Sequence, residues 1–180
     1  DAQARDPRRA RAVPAPHDHL TPAPAPPGRA SEVPMRDPAD RTIRRQDYAP
    51  PAYLVDTVDL DVDIARPWAT VRARLAVRRN EAGAGGPLVL DGEHLELLAV
   101  SLDGVALGPS RYAVADGRLT VADVPAAFTL ETTVRFDPWR NTRLEGFYAS
   151  RDGLFSQCEA QGFRTITYFP DRPDVMATYS

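Results

Sequence analysis

From Tyr53 onward, apolar and polar residues alternate with a period of two. Val58, Leu60, Val62 and Ile64 share one side of an extended chain while Asp59, Asp61 and Asp63 share the other, the pattern of a half-buried strand. Val71, Ala73, Leu75 and Val77 alternate in the same way with Arg72, Arg74 and Arg78, and Ala65-Arg66-Pro67-Trp68 supplies a turn between the two runs. Antiparallel pairing would bring the acidic and basic rows together on a solvated face. That accounts for the arginine row without a nucleic-acid ligand.

Beyond a Gly-rich loop at 83–86, short strand candidates recur at 88–90, 95–102, 112–114, 118–121 and 128–136, and no segment of useful length has helical period. Asp91-Gly92, Asp103-Gly104 and Asp116-Gly117 read as hairpin turns, because Gly tolerates the positive φ that tight turns require. Such spacing predicts an all-β fold, a saddle-like antiparallel sheet or sandwich. After Phe136 a further hairpin is predicted, with Asp152-Gly153 as its turn and 154–159 as its second strand. On that strand Gln157 and Glu159 would project from one face and Cys158 from the other.

Residues 1–43 have a different texture, rich in Pro, Ala and Arg, with Pro22-Ala23-Pro24-Ala25-Pro26-Pro27 at their centre. So few large apolar side chains cannot offset the entropy of ordering, so a disordered or polyproline-like extension is expected ahead of a β domain at 44–180. His17-Asp18-His19 in this stretch could grip a metal, but two imidazoles in such a tail are expected to be solvated. The chain has 180 residues, 43% of them hydrophobic, which is enough for one domain with a sizeable core. The formal net charge is only -3, and every basic residue apart from His is Arg. No charge block marks a nucleic-acid or membrane partner. One cysteine excludes an internal disulfide, no apolar run reaches the roughly 20 residues of a membrane span, and a cytoplasmic setting is expected. A first residue other than Met and a strand-like stretch running to Ser180 suggest a truncated fragment.

On spacing alone, an amide and a carboxylate side by side could bind a cation, a metal or an ammonium group, or simply form a solvated strand edge. Cys158 has no nearby His to activate it and reads as a small buried hydrophobe. Three sets of residues then narrow the choice. They are Leu144-Glu145-Gly146-Phe147-Tyr148, Gln157-Cys158-Glu159-Ala160-x-Gly162-Phe163-Arg164, and Tyr168-x-x-Asp171-Arg172-Pro173-Asp174-Val175. In this order they resemble the aminopeptidase N family of the bacterial alanyl type, and Asp47-Tyr48-x-x-Pro51-x-Tyr53 is similar to that family's entry into its first domain. The resemblance covers the chain from about Arg44 onward.

The resemblance implies a multidomain zinc aminopeptidase whose first domain is an all-β saddle and whose second, thermolysin-like domain carries Zn2+. It implies that Gln157 and Glu159 bind the substrate's free α-amino group, so the expected partners are peptides with a free N-terminus and the enzyme's own catalytic domain. A unit charge pair about 4 Å apart is worth ~4 kcal/mol at an effective dielectric near 20, enough to set the register of cleavage. Neither G-x-M-E-N nor H-E-x-x-H occurs in this chain, and its histidines are His17, His19 and His94. No metal site and no catalytic residue are therefore expected in this fragment, which should be inactive alone. His94 reads as a structural residue on a strand edge, and Asp171-Arg172-Pro173 as a rigid turn. The rival readings are a stand-alone β-sandwich that binds a peptide or protein, and an inactive homologue.

Overall fold

The computed structural model describes residues 44–151 and 153–180, which form one all-β unit. The extension and its His17-Asp18-His19 lie outside the described residues. Strands β1 (Tyr53–Ala65) and β2 (Trp68–Arg79) form a long antiparallel hairpin through the predicted Arg66-Pro67 turn. With β4 (Glu96–Leu102), β5 (Val105–Ala106), β8 (Ala127–Phe136) and β11 (Thr178–Tyr179) they make a sheet of order β11-β1-β2-β8-β4-β5. A second sheet has the order β3-β7-β6, from β3 (Leu88–Asp91), β6 (Tyr112–Ala115) and β7 (Arg118–Val121). A two-stranded hairpin, β9 (Gly146–Ser150) with β10 (Gly153–Gln157), completes the set. One departure from a purely antiparallel saddle is β11, which pairs parallel to β1. These two strands are far apart in sequence, so no tight turn forces them antiparallel.

Period-two patterning is realised most fully in β2 and β8, at the middle of the large sheet. Val71, Ala73, Leu75 and Val77 of β2 and Phe128, Leu130 and Val134 of β8 are buried against Leu88, Leu90, Leu119 and Val121 of the second sheet in one cluster. Each Val, Leu or Phe side chain among these stabilises the fold by ~2 kcal/mol when removed from water. In β1, Asp56 is an extra residue, since Val55 pairs with Val77 and Thr57 with Ala76. That bulge lets Tyr53 and Val55 face the core together with Val58. Val58 is fully buried and Leu60 half-buried, but Val62 and Ile64 are 43% and 44% exposed. The predicted apolar row is therefore buried only over its first half, at Val58 and Leu60.

Of the facing charge rows one pair meets as expected on the outer surface, while the other two arginines find partners outside the Asp59, Asp61 and Asp63 row. Arg72 pairs with Asp61 at 3.4 Å, Arg78 forks onto the Asp56 carboxylate at 3.0 and 3.1 Å, and Arg74 reaches Glu131 at 3.8 Å. These pairs are solvated, so each contributes at most about 1 kcal/mol. Asp103-Gly104 and Asp116-Gly117 are tight turns with positive φ at both residues. Asp91-Gly92 is not a hairpin turn. Asp91 closes β3 and exchanges backbone hydrogen bonds with Phe169, at 2.9 and 3.1 Å, and Gly92 lies directly beneath the buried ring of Tyr168. There the glycine is required for space, not for a turn. Gly92→Ala would drive a methyl group into that ring and is expected to destabilise the chain by at least about 1–3 kcal/mol, read as a lower urea midpoint at unchanged slope.

Candidate functional site

The β9–β10 hairpin carries the first part of the predicted site. Tyr148 and Phe155 face each other across it and stack at 5.9 Å, and Gln157 pairs with Gly146. Asn141 fixes the start of β9 by donating from Nδ2 to the Glu145 and Phe147 carbonyls at 2.7 and 3.0 Å. Strand β10 ends at Gln157, two residues earlier than the sequence pattern predicts. Residues after it turn sharply, and the Gly162 N–H donates to the Cys158 carbonyl at 2.7 Å. Gln157 and Glu159 are therefore neighbours by virtue of a turn, not by alternation along a strand.

Both side chains are exposed. Gln157 Nε2 donates to the Glu159 backbone carbonyl at 3.3 Å, which leaves Gln157 Oε1 as an acceptor. Among the described residues the Glu159 carboxylate enters none of the ion pairs. Cys158, between them, is half-buried, and burial together with the nearby Asp171 carboxylate pushes its thiol above the usual range. Cys158 is thus only half-buried where a buried hydrophobe was expected, and the raised pKa disfavours the thiolate that a nucleophile requires. His94 sits exposed in a bend with φ 57°, ahead of β4 and not on a strand edge.

Behind the turn the chain is tightly packed. Gly162 begins a 3-10 helix, Gly162–Thr165, and a Cβ there would come within 2.5 Å of the Gln157 carbonyl and 3.2 Å of the Gly146 nitrogen. Thr165 Oγ1 donates to the Gly162 carbonyl at 2.8 Å and leaves no room for a side chain at Gly146, whose φ is +69°. Phe163 packs edge-on against Phe169 and Tyr179 at 5.2 and 5.5 Å.

Arg164 was matched in the sequence only as part of a motif, with no role attached. Its largely buried guanidinium donates from Nε to Asp171 Oδ2 at 3.2 Å and from Nη2 to the Asp171 carbonyl at 2.9 Å, and lies 3.7 Å from both Asp91 and Glu93. Its own N–H also donates to Asp171 Oδ2, at 3.1 Å, and its carbonyl accepts from Glu93 N–H at 2.9 Å. Arg172 holds Asp174 through two bonds of 2.8 and 2.7 Å and reaches the Ala49 carbonyl at 2.9 Å, joining the segment after the site to the one that enters β1. That paired arginine, helped by the Tyr48 hydroxyl, holds the Asp174 carboxyl below its ordinary range.

No family model matches the chain. Aminopeptidase N of Caulobacter vibrioides is 44% identical over 146 residues, which are 81% of this chain and 17% of that protein. Aminopeptidase N of Escherichia coli is 39% identical over 137 residues, 76% of this chain and 15% of that one. The chain belongs to the aminopeptidase N family. It spans about one-sixth of the length of these curated relatives. The crystal structure of Legionella pneumophila aminopeptidase A in complex with aspartic acid superimposes with a TM-score of 0.69 and 33% identity, over 74% of this chain and 16% of that one. A zinc metallopeptidase of Deinococcus radiodurans, at 19% identity and TM-score 0.58 over 73% of this chain and 32% of that one, shares the fold.

The aminopeptidase N family likeness brings zinc with it, but the described residues do not fit a zinc site. Among them no group of three or more His, Cys, Asp or Glu could hold a metal ion. Asp91, Glu93 and Asp171 converge on the Arg164 guanidinium, so the centre of the one carboxylate cluster at this site is already occupied by a positive charge. Among the described residues no helix is long and apolar enough to cross a membrane.

Two titrations check this geometry. Alkylation of Cys158 by iodoacetamide should follow a pH profile whose midpoint lies above that of a free cysteine measured alongside. Asp174 should titrate below the range of a free carboxylate when followed by NMR. Because its folded pKa is the lower one, its contribution to stability is present above the unfolded pKa and lost as pH falls through the folded value.

Proposed function

We propose that this chain is the amine-recognition part of a zinc aminopeptidase that removes N-terminal residues from peptides. In this reading Glu159 pairs with the substrate's α-ammonium, and Gln157 Oε1 accepts a second hydrogen bond from the same group. The observation that carries the reading is the turn at Gln157–Gly162, which sets an exposed carboxylate without an ion-pair partner among the described residues next to an amide anchored through its nitrogen. An ammonium offers several donors and one positive charge, and this pair offers one charge and one directed acceptor. A neutral amide beside the carboxylate adds an acceptor without adding a second negative charge.

Fixing the amine fixes the register of the peptide, so cleavage falls one residue from the terminus. The groups that act on the peptide bond, and the zinc, belong in this reading to another domain. That domain must also shield Glu159. An ion pair on an open surface is worth at most about 1 kcal/mol, which falls short of the selectivity an exopeptidase needs. Covering the site lowers the effective dielectric and strengthens the same contact severalfold.

In the complete enzyme that carries this domain, Glu159→Ala is expected to lower kcat/KM on aminoacyl substrates by at least about tenfold, or 1.4 kcal/mol of transition-state stabilisation, and Gln157→Ala by less. An unchanged kcat/KM for Glu159→Ala would mean that the amine is held elsewhere. The 180-residue chain alone, with zinc added, is expected to show no aminoacyl hydrolysis in a fluorogenic assay, and reproducible zinc-dependent turnover would refute the division of labour.

A further inference from the structure

We propose that Arg164 is a positioning residue for amine recognition, acting through the turn that carries Glu159; this rests on the amine-binding role given to Glu159 above. The turn has two arms. Its first arm is the strand β10, held in register by β9. Its second arm runs from Gly162 into the 3-10 helix, and there Arg164 is fixed through side chain and backbone together. The side chain bonds Asp171, the N–H donates to that same carboxylate, and the carbonyl accepts from Glu93. All three anchors lie on segments distant from β10, so rotation of the helix would break them together.

Glu159 itself is exposed and enters none of the described ion pairs. Nothing in its own side-chain contacts sets its direction. The direction comes from the backbone of the turn, which Gly162 N–H closes onto the Cys158 carbonyl and whose second arm Arg164 anchors. Charge supports the same assignment. Arg164 faces the carboxylates of Asp91, Glu93 and Asp171, and Arg118 also reaches Asp91 at 3.6 Å, so three carboxylates meet two guanidinium groups and the cluster adds no repulsion to an incoming ammonium. A lysine could supply the charge but not the forked contact to both the carboxylate and the carbonyl of Asp171.

The test is a double-mutant cycle in the complete enzyme, with kcat/KM on an aminoacyl substrate as the readout. Arg164→Lys and Asp171→Asn are each made in the wild-type and the Glu159→Ala backgrounds. Each is expected to cost about tenfold in the wild type and less than about twofold once Glu159 is gone, because their effect travels through that carboxylate. Equal losses in both backgrounds would overturn the proposal, as would full activity in the two single variants. Loss of near-UV circular dichroism together with activity in both would assign the cluster to folding alone and overturn it too. Failure of the amine-binding reading has a separate signature, an unaffected Glu159→Ala enzyme.

Discussion

Main-chain bonding between the end of β3 and the segment after the site is the constraint on which the rest of this domain depends. Asp91 exchanges two backbone hydrogen bonds with Phe169, and Glu93 N–H reaches the Arg164 carbonyl. These bonds tie a segment without strand structure of its own to the second sheet, and Tyr168 can then lie over Gly92 with its ring out of water. The second sheet supplies one wall of the core, so the same contact that packs the core also sets the height and tilt of the 3-10 helix. Stability and site geometry here share their hydrogen bonds. Burial of the Arg164–Asp171 pair adds direction to this coupling, because a charge pair so enclosed is costly to break and tolerates few geometries.

Period-two patterning made the large sheet legible in the sequence. Alternation in β2 and β8 is strict because both strands have neighbours on either side and the second sheet on one face. Asp103-Gly104 and Asp116-Gly117 were legible for a local reason, since a two-residue turn needs positive φ and those residues permit it. Asp91-Gly92 has the same composition and a different cause. Its glycine answers to Tyr168, far along the chain, and no local pattern carries that information. Burial at Val62 and Ile64 was overestimated for a similar reason, since alternation states which side a residue faces and not what covers that side.

The candidate site was legible only through its motifs. Spacing placed Gln157 and Glu159 on one face of a strand, yet the strand ends at Gln157, and it is a turn closed by Gly162 N–H that keeps them together. Glycines at 146 and 162 explain why the turn can lie so close to β9, and their motif positions are where a side chain would collide. Arg164 stood inside a matched motif with no role attached, because its partners Asp91, Glu93 and Asp171 come from two separate segments. Amine recognition as such remains a reading of chemistry: an exposed carboxylate, an oriented amide and a family likeness that point the same way.

Along β1 the acidic row does more than meet arginine. Asp59, Asp61 and Asp63 alternate with Leu60, Val62 and Ile64, so every second position of that stretch carries a negative charge. A long strand with apolar residues on one face is a surface onto which a second copy could add by backbone pairing. Two copies of β1 brought side by side would set like charges against like charges. The acidic row thus acts as a guard against self-pairing as well as a partner for arginine.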